Sequence, residues 1–416
     1  MSTSRQTGAG RAWAVTFAGV GINLCLGVVY SWSVFAAALI SQLGWSKTAS
    51  VIPYTIAYVV FPIIMVPAGW LVDKAGPRRV ATIGGILVGL GMILSGLLGN
   101  SLQTLTITFG VIVGSGIAFG YAAATPAAVK WFMPHKKGQI SGLVVAGFGL
   151  ASVYIAPLTN SLIKSFGVIH TFYVEGMIFL AVSVILAQVL AFPPSGHQPL
   201  GGPPPATKAA TDAASGRSFA PVEMLATPQF YLIWIMYAFS VSAGLMIICQ
   251  LAEIARIQAG LNWGFVFVAV LAIANAGGRV LAGWLSDRLG RSRTMLLVFL
   301  IQAANMFMFA TYRSAPALLL GSVLTGLAYG SLLSLFPSIT YDYYGLKHAG
   351  INYGLVFTAV AAGSLIGPVV GGRMADLYKV YNNAYIISAV LLLLAAVMTL
   401  LIRPPKQMAA DTIAKM

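Results

Sequence analysis

The stretch "GWLVDKAGPRR", residues 69–79, returns as "GWLSDRLGRSR" at residues 283–293, 214 positions later. Each copy closes an apolar run with Gly-Trp-Leu, then an aspartate (Asp73, Asp287), then a basic cluster. Outward from either copy, apolar runs follow one another along the chain. A membrane-spanning helix needs about 20 largely apolar residues. Twelve runs meet that length: 12–40, 49–72, 79–99, 103–131, 138–165, 170–192, 229–257, 264–287, 293–312, 315–342, 349–375 and 382–403. The repeat closes the second run of each set of six. The sequence thus predicts an all-α membrane protein of twelve transmembrane helices in two six-helix, pseudo-symmetric halves. Duplicated halves are typical of secondary transporters, whose substrate site lies between them near mid-membrane.

Composition agrees. The 416 residues are 58% hydrophobic and 8% charged, whereas a soluble domain carries about 25% charged residues. The net charge of +15 sits in short clusters between apolar runs, which excludes a continuous nucleic-acid-binding stripe. Between the sixth and seventh runs lies "PPSGHQPLGGPPPATKAATDAASGRS", residues 193–218. It has no apolar periodicity and reads as a flexible linker. The expected division is an N-terminal segment 1–11, a six-helix bundle 12–192, a linker 193–228, a second bundle 229–403 and a tail 404–416. In "ATPQF" the seventh helix opens with Thr227 as a capping residue and Pro228 in the first turn. The first run lacks a signal-peptide cleavage pattern and reads as an uncleaved helix.

Lys and Arg set the expected orientation. With both termini cytoplasmic, 17 of the 24 basic residues fall on the cytoplasmic side, six on the other, and Arg279 in the membrane. That side also carries both repeat motifs. There, Asp73 with Arg78 and Asp287 with Arg291 are candidate gating residues: an aspartate at a helix end can meet a neighbouring helix N-terminus or an arginine and latch one gate. The alternative is that these charges only set topology.

"NAGGRVLAGWLSDRLGR", residues 275–291, places Arg279 inside an apolar helix. It lies roughly 22 Å from Gly264 along the axis, at 1.5 Å per residue. An arginine at mid-span costs about 2.5–3.5 kcal/mol on insertion scales, so it calls for a partner or a polar cavity. Its planar guanidinium suits a carboxylate held through two parallel hydrogen bonds. A small carboxylate anion is one partner. The other is a structural carboxylate on another helix, for which Glu175, Glu253, Asp376 and Asp342 are the candidates. Glu253 with Arg256, and Asp376 with Arg373, are spaced as local helical pairs. Asn275, one turn before Arg279, faces the same way. It can donate to a substrate, hold the guanidinium, or make a helix–helix contact. Gly277 and Gly278 keep the adjacent surface low.

No catalytic set is present, so the chain is not expected to be an enzyme. "GSGIAFG", residues 114–120, lies in a membrane run and reads as helix packing. No Walker motif is present, so ATP-driven transport is not expected. His135, His170, His197 and His348 are expected in loops without metal spacing, and Cys25 and Cys249 imply neither a disulfide nor a metal.

Over its whole length the chain resembles the major facilitator superfamily. "GVVYSW" (27–32), "KWFMPHKKGQISGLVVAGFG" (130–149), "EMLATPQF" (223–230), "NAGGR" (275–279), "LFPSITYDYYG" (335–345) and "NYGLVF" (352–357) resemble its monocarboxylate transporter and oxalate/formate antiporter branch. In detail they are similar to bacterial lactate-type monocarboxylate transporters. The resemblance implies that Arg279 anchors the substrate carboxylate. It also implies that Tyr30, Phe119, Tyr329 and Phe357 occupy aromatic lining positions. Leu26, Leu143 beside "AGFG", and Tyr121 are further wall candidates, and apolar walls with few polar groups suit a short-chain acid. Three departures bear on the mechanism. Animal monocarboxylate transporters carry Asp where Asn275 stands, and a lysine where Tyr30 stands. The oxalate branch has a second membrane cation where this chain has Val360. The expected partners are a small monocarboxylate, a proton and the lipid bilayer, with no nucleic acid and no cofactor, for a monomer in the cell inner membrane. Three functions stay open: a proton-coupled monocarboxylate symporter, an anion exchanger of oxalate/formate type, and a membrane sensor.

Overall fold

The computed structural model describes residues 2–99, 101–133, 136–194, 197–200, 218–345 and 348–405. Long helices succeed one another, broken where glycine or proline demands it. α1 runs through Ser2–Leu26, a 3₁₀ turn Gly27–Ser31 and Trp32–Leu43. α2 is Lys47–Ala75, α3 Pro77–Leu98 and α4 Leu102–Val129. One continuous helical path, Lys137–Ala187, contains two of the expected spans. Gly167 divides it with φ 78° and ψ 168°, a conformation that glycine adopts without a Cβ clash. α5 is therefore 137–166 and α6 168–187. In the second half α7 is Pro228–Ala259, α8 Phe265–Leu289, α9 Arg291–Phe309, α10 Ala315–Tyr344, α11 Gly350–Tyr378 and α12 Asn382–Leu401. With the Gly167 break counted, these are the twelve predicted spans.

The boundaries match expectation to within a few residues, with two exceptions, the first being that α1 starts at Ser2, inside the expected N-terminal segment 1–11. α6 stops at Ala187 rather than 192, because the following residues turn back against α4. Trp131 Nε1 donates to the Ala191 carbonyl at 2.9 Å, and Leu200 N donates to the Trp131 carbonyl at 3.0 Å. Part of the expected linker is thus anchored at both ends. On its far side Phe219 N donates to the Tyr344 carbonyl at 2.9 Å, ahead of a short helix Pro221–Leu225. The linker's centre, 201–217, lies outside the described residues, as do His135 and the tail beyond 405. Thr227 occupies the N-cap position of α7 without capping it. Its hydroxyl instead bonds the Met224 carbonyl (2.7 Å) and the Tyr344 hydroxyl (2.8 Å). His170, expected in a loop, lies inside α6.

Inside each half, polar groups pair across helices, as a lipid surround requires. Asn305 Nδ2 donates to the Gly321 carbonyl (3.2 Å) and Thr325 (3.0 Å), and Tyr312 donates to Asn305 (3.2 Å). Gly84 and Gly116 pack backbone on backbone with Gly120 and Val88, so the "GSGIAFG" glycines do serve helix packing. The halves meet along α1–α7, α2–α11 and α5–α8. The α2–α11 seam is tight at the end away from the repeat motifs. There a Cβ on Gly372 would stand 2.8 Å from Thr48 Cα. Near the motif end the seam loosens: a Cβ on Gly354 would find its first neighbour, Val66, at 3.9 Å, and Gly142 on α5 faces open space.

Candidate functional site

α8 aims Arg279 inward while its neighbour Val280 is 76% exposed on the lipid-facing side. Arg279 Nε donates to Asn275 Oδ1 at 3.3 Å, and Nη1 crosses between the halves to the Val145 carbonyl of α5 at 3.2 Å. The approach to α5 is close because residue 149 is glycine: a Cβ there would lie 3.1 Å from Arg279 Nη2. Two donors stay buried without a hydrogen-bond partner among the described residues, Arg279 Nη2 and Asn275 Nδ2. They belong to residues one turn apart on one face of α8. In a low-dielectric interior such donors are costly unless an acceptor meets them. Gly277 and Gly278 do not serve alike: a Cβ on Gly277 would find its first neighbour, Leu327, at 3.9 Å. Gly278 instead lets α8 pack on the Leu327 backbone of α10.

No carboxylate among the described residues pairs with Arg279, and each of the four candidates is engaged elsewhere. Glu175 accepts from Thr159. Glu253 accepts from Arg256 Nε (2.8 Å) and Nη2 (2.7 Å), as its spacing predicted. Asp342 bonds Arg291 Nε at 3.0 Å. Asp376 does not pair with Arg373. It accepts from Lys47 N (2.8 Å), Thr48 N (2.8 Å) and Thr48 Oγ1 (2.6 Å), capping the first turn of α2 from the opposite half.

Aromatic rings surround the arginine. The 3₁₀ turn in α1 carries Tyr30, which meets Phe148 at 5.3 Å and Tyr329 of the other half at 6.2 Å, both edge-on. Tyr121 and Phe148 are 5.4 Å apart. Phe61 of α2 joins the two halves, 5.5 Å from Tyr121 and 5.8 Å from Phe357. Tyr353 lies 5.7 Å from Phe357. Tyr121, Tyr329 and Tyr353 are within electrostatic reach of Arg279.

The structure therefore brings together Arg279, Asn275, Tyr30, Tyr121, Tyr329 and Phe357. Three other wall candidates stand apart. Leu26 is fully buried, its Cδ1 seated over Gly120 of α4. Leu143 is 39% exposed, two residues before Val145 and so roughly 200° around α5 from the arginine contact. Phe119 is half-buried and turned by the same angle from Tyr121. Residues that the sequence did not single out complete the cage: Phe61, Val145, Phe148, Gly149 and Tyr353. "AGFG" carried the signal for two of them, since small residues on a helix face mark a close approach.

At the motif end the charges pair within their own halves. Asp73 is 3.9 Å from Lys130, both exposed, a pair worth about 0–1 kcal/mol. Arg291 gathers Asp287 (2.7 Å), Asp342 and the Ser286 hydroxyl, tying α8, α9 and α10 together. Asp287 thus meets an arginine of its own half, four residues on. Arg78 is exposed and makes no ion pair among the described residues.

A membrane-embedded arginine with one buried, unpaired nitrogen thus lies near aromatic rings between two six-helix halves, the architecture of a membrane carrier. The chain belongs to the major facilitator superfamily, which it matches over residues 16–315 and 264–415. It is 31% identical to the oxalate:formate antiporter of Oxalobacter formigenes, over 98% of this chain and 96% of that protein. It is 25% identical to monocarboxylate transporter 13 of Rattus norvegicus, over 78% of this chain and 72% of the relative. Among solved structures, a bacterial homologue of the human lysosomal transporter Spinster, in an inward-facing and occupied conformation, superposes with a TM-score of 0.70. That match is 16% identical and covers 94% of this chain and 95% of that one. The chain is a multi-pass membrane transporter of the monocarboxylate and oxalate/formate type, and not an enzyme.

Proposed function

We propose that this chain is a proton-coupled symporter of small, lactate-like monocarboxylates, working by alternating access as a monomer in the cell inner membrane. In this reading both termini and the Asp73 and Asp287 motifs are cytoplasmic, in line with the bias of Lys and Arg to that side. One observation carries the substrate reading: Arg279 Nη2 and Asn275 Nδ2 are buried donors with no partner among the described residues, and no carboxylate among those residues answers them. A substrate carboxylate supplies the missing acceptors. The proton reading is energetic. Moving one anion inward against an inside-negative potential costs about 2.3 kcal/mol per 100 mV, and a co-transported proton cancels the charge.

The second reading is an organic-anion exchanger, favoured by the 31% identity to an oxalate:formate antiporter. Against it stands Val360, buried and apolar where that branch carries a second cation. The deciding experiment is uptake of labelled lactate, formate, acetate and oxalate into proteoliposomes. Symport predicts lactate uptake that rises as external pH falls and needs no internal anion. Uptake that ignores the proton gradient and requires preloaded anion establishes exchange. No flux of any acid leaves the sensor reading.

A further inference from the structure

At the end away from the repeat motifs, where α2 and α11 pack tightly, the α1–α7 and α5–α8 seams leave a cavity of about 170 Å³. Gln42 of α1, Asn160 and Ile163 of α5, Arg256 of α7 and Phe265 of α8 line it, with Asn262 from the α7–α8 connection. The volume suits a small acid, since drug-sized ligands occupy about 300–1,000 Å³. Asn160 lies beyond Gly149 on α5 by roughly 16 Å along the axis, at 1.5 Å per residue, so the cavity is separate from the Arg279 cage. It nevertheless continues the faces of that cage. Spacings of about 11 and 14 residues return a helix to one side. They separate Asn160 and Ile163 from Gly149, and the longer one separates Phe265 from Arg279.

The lining suits an anion. No acidic side chain lines the cavity among the described residues. Glu253, one turn before Arg256, is 1% exposed, and its two oxygens accept from Arg256 Nε and Nη2. This pair fixes the guanidinium and leaves Nη1 without a hydrogen bond among the described residues. Gln42 Oε1 accepts from Val168 N at 2.9 Å, which leaves the amide nitrogen of Gln42 as a donor. The side-chain amides of Asn160 and Asn262 make no hydrogen bond among the described residues. Around the rim, Lys47 is within electrostatic reach of Arg256, Lys379, Glu253 and Asp376. Three cations against two carboxylates give a positive rim, which draws anions.

We propose that this cavity is an outer capture site for small carboxylate anions, held by Arg256 Nη1 and the amides of Gln42, Asn160 and Asn262 before the α5–α8 seam opens towards Arg279. The inference rests on the monocarboxylate reading of the central site. The Arg256–Glu253 pair is neutral by itself, so Lys47 and Lys379 balance the charge of the arriving acid. The Arg256 side chain is 47% exposed, and water screens its hold on the ligand. Weak holding is what a staging site needs, since an anion must bind well enough to enter and loosely enough to leave.

Two readouts on the full chain test this. The first is labelled lactate uptake by intact cells at about 0.01 and 0.15 M salt, where the Debye length is about 30 and 8 Å. Asn262→Asp puts an anion in the cavity from an exposed connection. Glu253→Gln combined with Arg256→Gln removes the cation without stranding its buried partner. Each is expected to raise the KM about threefold to fivefold at the lower salt, the worth of a half-exposed ion pair. The effect should shrink at the higher salt, and the maximal rate should stay unchanged. Arg313→Gln removes an exposed cation outside the cavity and is expected to leave the KM as it is. The second readout is maleimide labelling of Ser41→Cys, on the cavity wall, in nanodiscs. The native Cys25 and Cys249 are buried. Lactate is expected to slow that labelling, and to slow it equally when Arg279→Lys is also present. A wild-type KM in both cavity variants overturns the proposal, and so does labelling that lactate does not slow. If the double variant does not accumulate, Asn262→Asp and the labelling decide. Failure of the central-site reading has a different signature: the wild type takes up no lactate, while lactate still protects Ser41→Cys.

Discussion

Asp376 offers a direct perturbation of the seam between the halves. Its carboxylate belongs to α11 and accepts three hydrogen bonds from the first turn of α2: Lys47 N, Thr48 N and Thr48 Oγ1, at 2.8, 2.8 and 2.6 Å. These are charge-assisted bonds at a helix N-terminus, where an anion is further favoured. Each such bond is worth about 1.5–3 kcal/mol when buried. The site is only half-buried, so water replaces part of what is lost. The net effect of Asp376→Ala is then about 2–3 kcal/mol, or roughly a 30- to 150-fold shift in the ratio of closed to open at this end. Thr48→Val removes one of the three bonds and should shift the same ratio less. Spin labels on a cysteine pair at Leu43 and Val380, which are 39% and 40% exposed on opposite halves, report the opening as a distance distribution. The native Cys25 and Cys249 are buried and do not compete for label. Asp376→Ala should enrich the long-distance population in proteoliposomes, with Thr48→Val between it and wild type. Identical distributions in all three proteins would refute the view that this cap holds the halves together.

Arg279→Lys should abolish most lactate uptake with normal membrane insertion, since lysine keeps the charge but not the planar fork; near-normal uptake removes Arg279 from the site. Gly149→Ala places a methyl 3.1 Å from Arg279 Nη2, displaces the guanidinium from α5, and should weaken apparent lactate affinity several-fold at unchanged expression; an unchanged affinity means the α5 contact does not set the guanidinium's position. Excess oxalate should compete with labelled lactate far less than pyruvate does, because each unpaired charge in a low-dielectric cavity costs several kcal/mol. Equal competition defeats the single-cation argument and puts the exchanger first. Val360→Lys should weaken lactate uptake by leaving an unpaired cation beside the bound acid, and wild-type uptake in that variant would place residue 360 away from the substrate.

The architecture was legible because the bilayer imposes a length on every span and because the chain repeats its own motif. Twelve runs and the Gly69 and Gly283 copies are local features, readable without knowing which helix touches which. The chemistry of Gly167 needed coordinates, since a glycine in an apolar run gives no sign of whether its φ is positive. Arg279 was legible for an energetic reason: a cation that costs several kcal/mol at mid-span must be compensated. What compensates it was not. The four carboxylates stood open as partners until the structure showed each one occupied, Asp376 by a helix end 329 positions away in sequence.

The same distinction separates the cage residues that were found from those that were missed. Tyr30, Tyr329 and Phe357 came from resemblance, position by position, and the structure gathers them with Tyr121 around Arg279. Phe119 came the same way and does not join them, and neither do Leu26, chosen one turn before Tyr30, or Leu143, chosen beside "AGFG", because a lining position holds only while the helix keeps its rotation against its neighbours. Two residues along α5 separate Leu143 from Val145, and that step turns a side chain roughly 200°. Phe61 was missed because its role is defined by contacts in both halves, to Tyr121 on one side and Phe357 on the other. Periodicity within α2 does place Tyr54, Tyr58 and Phe61 on one face. It takes the Phe357 contact to show that this face looks across the seam.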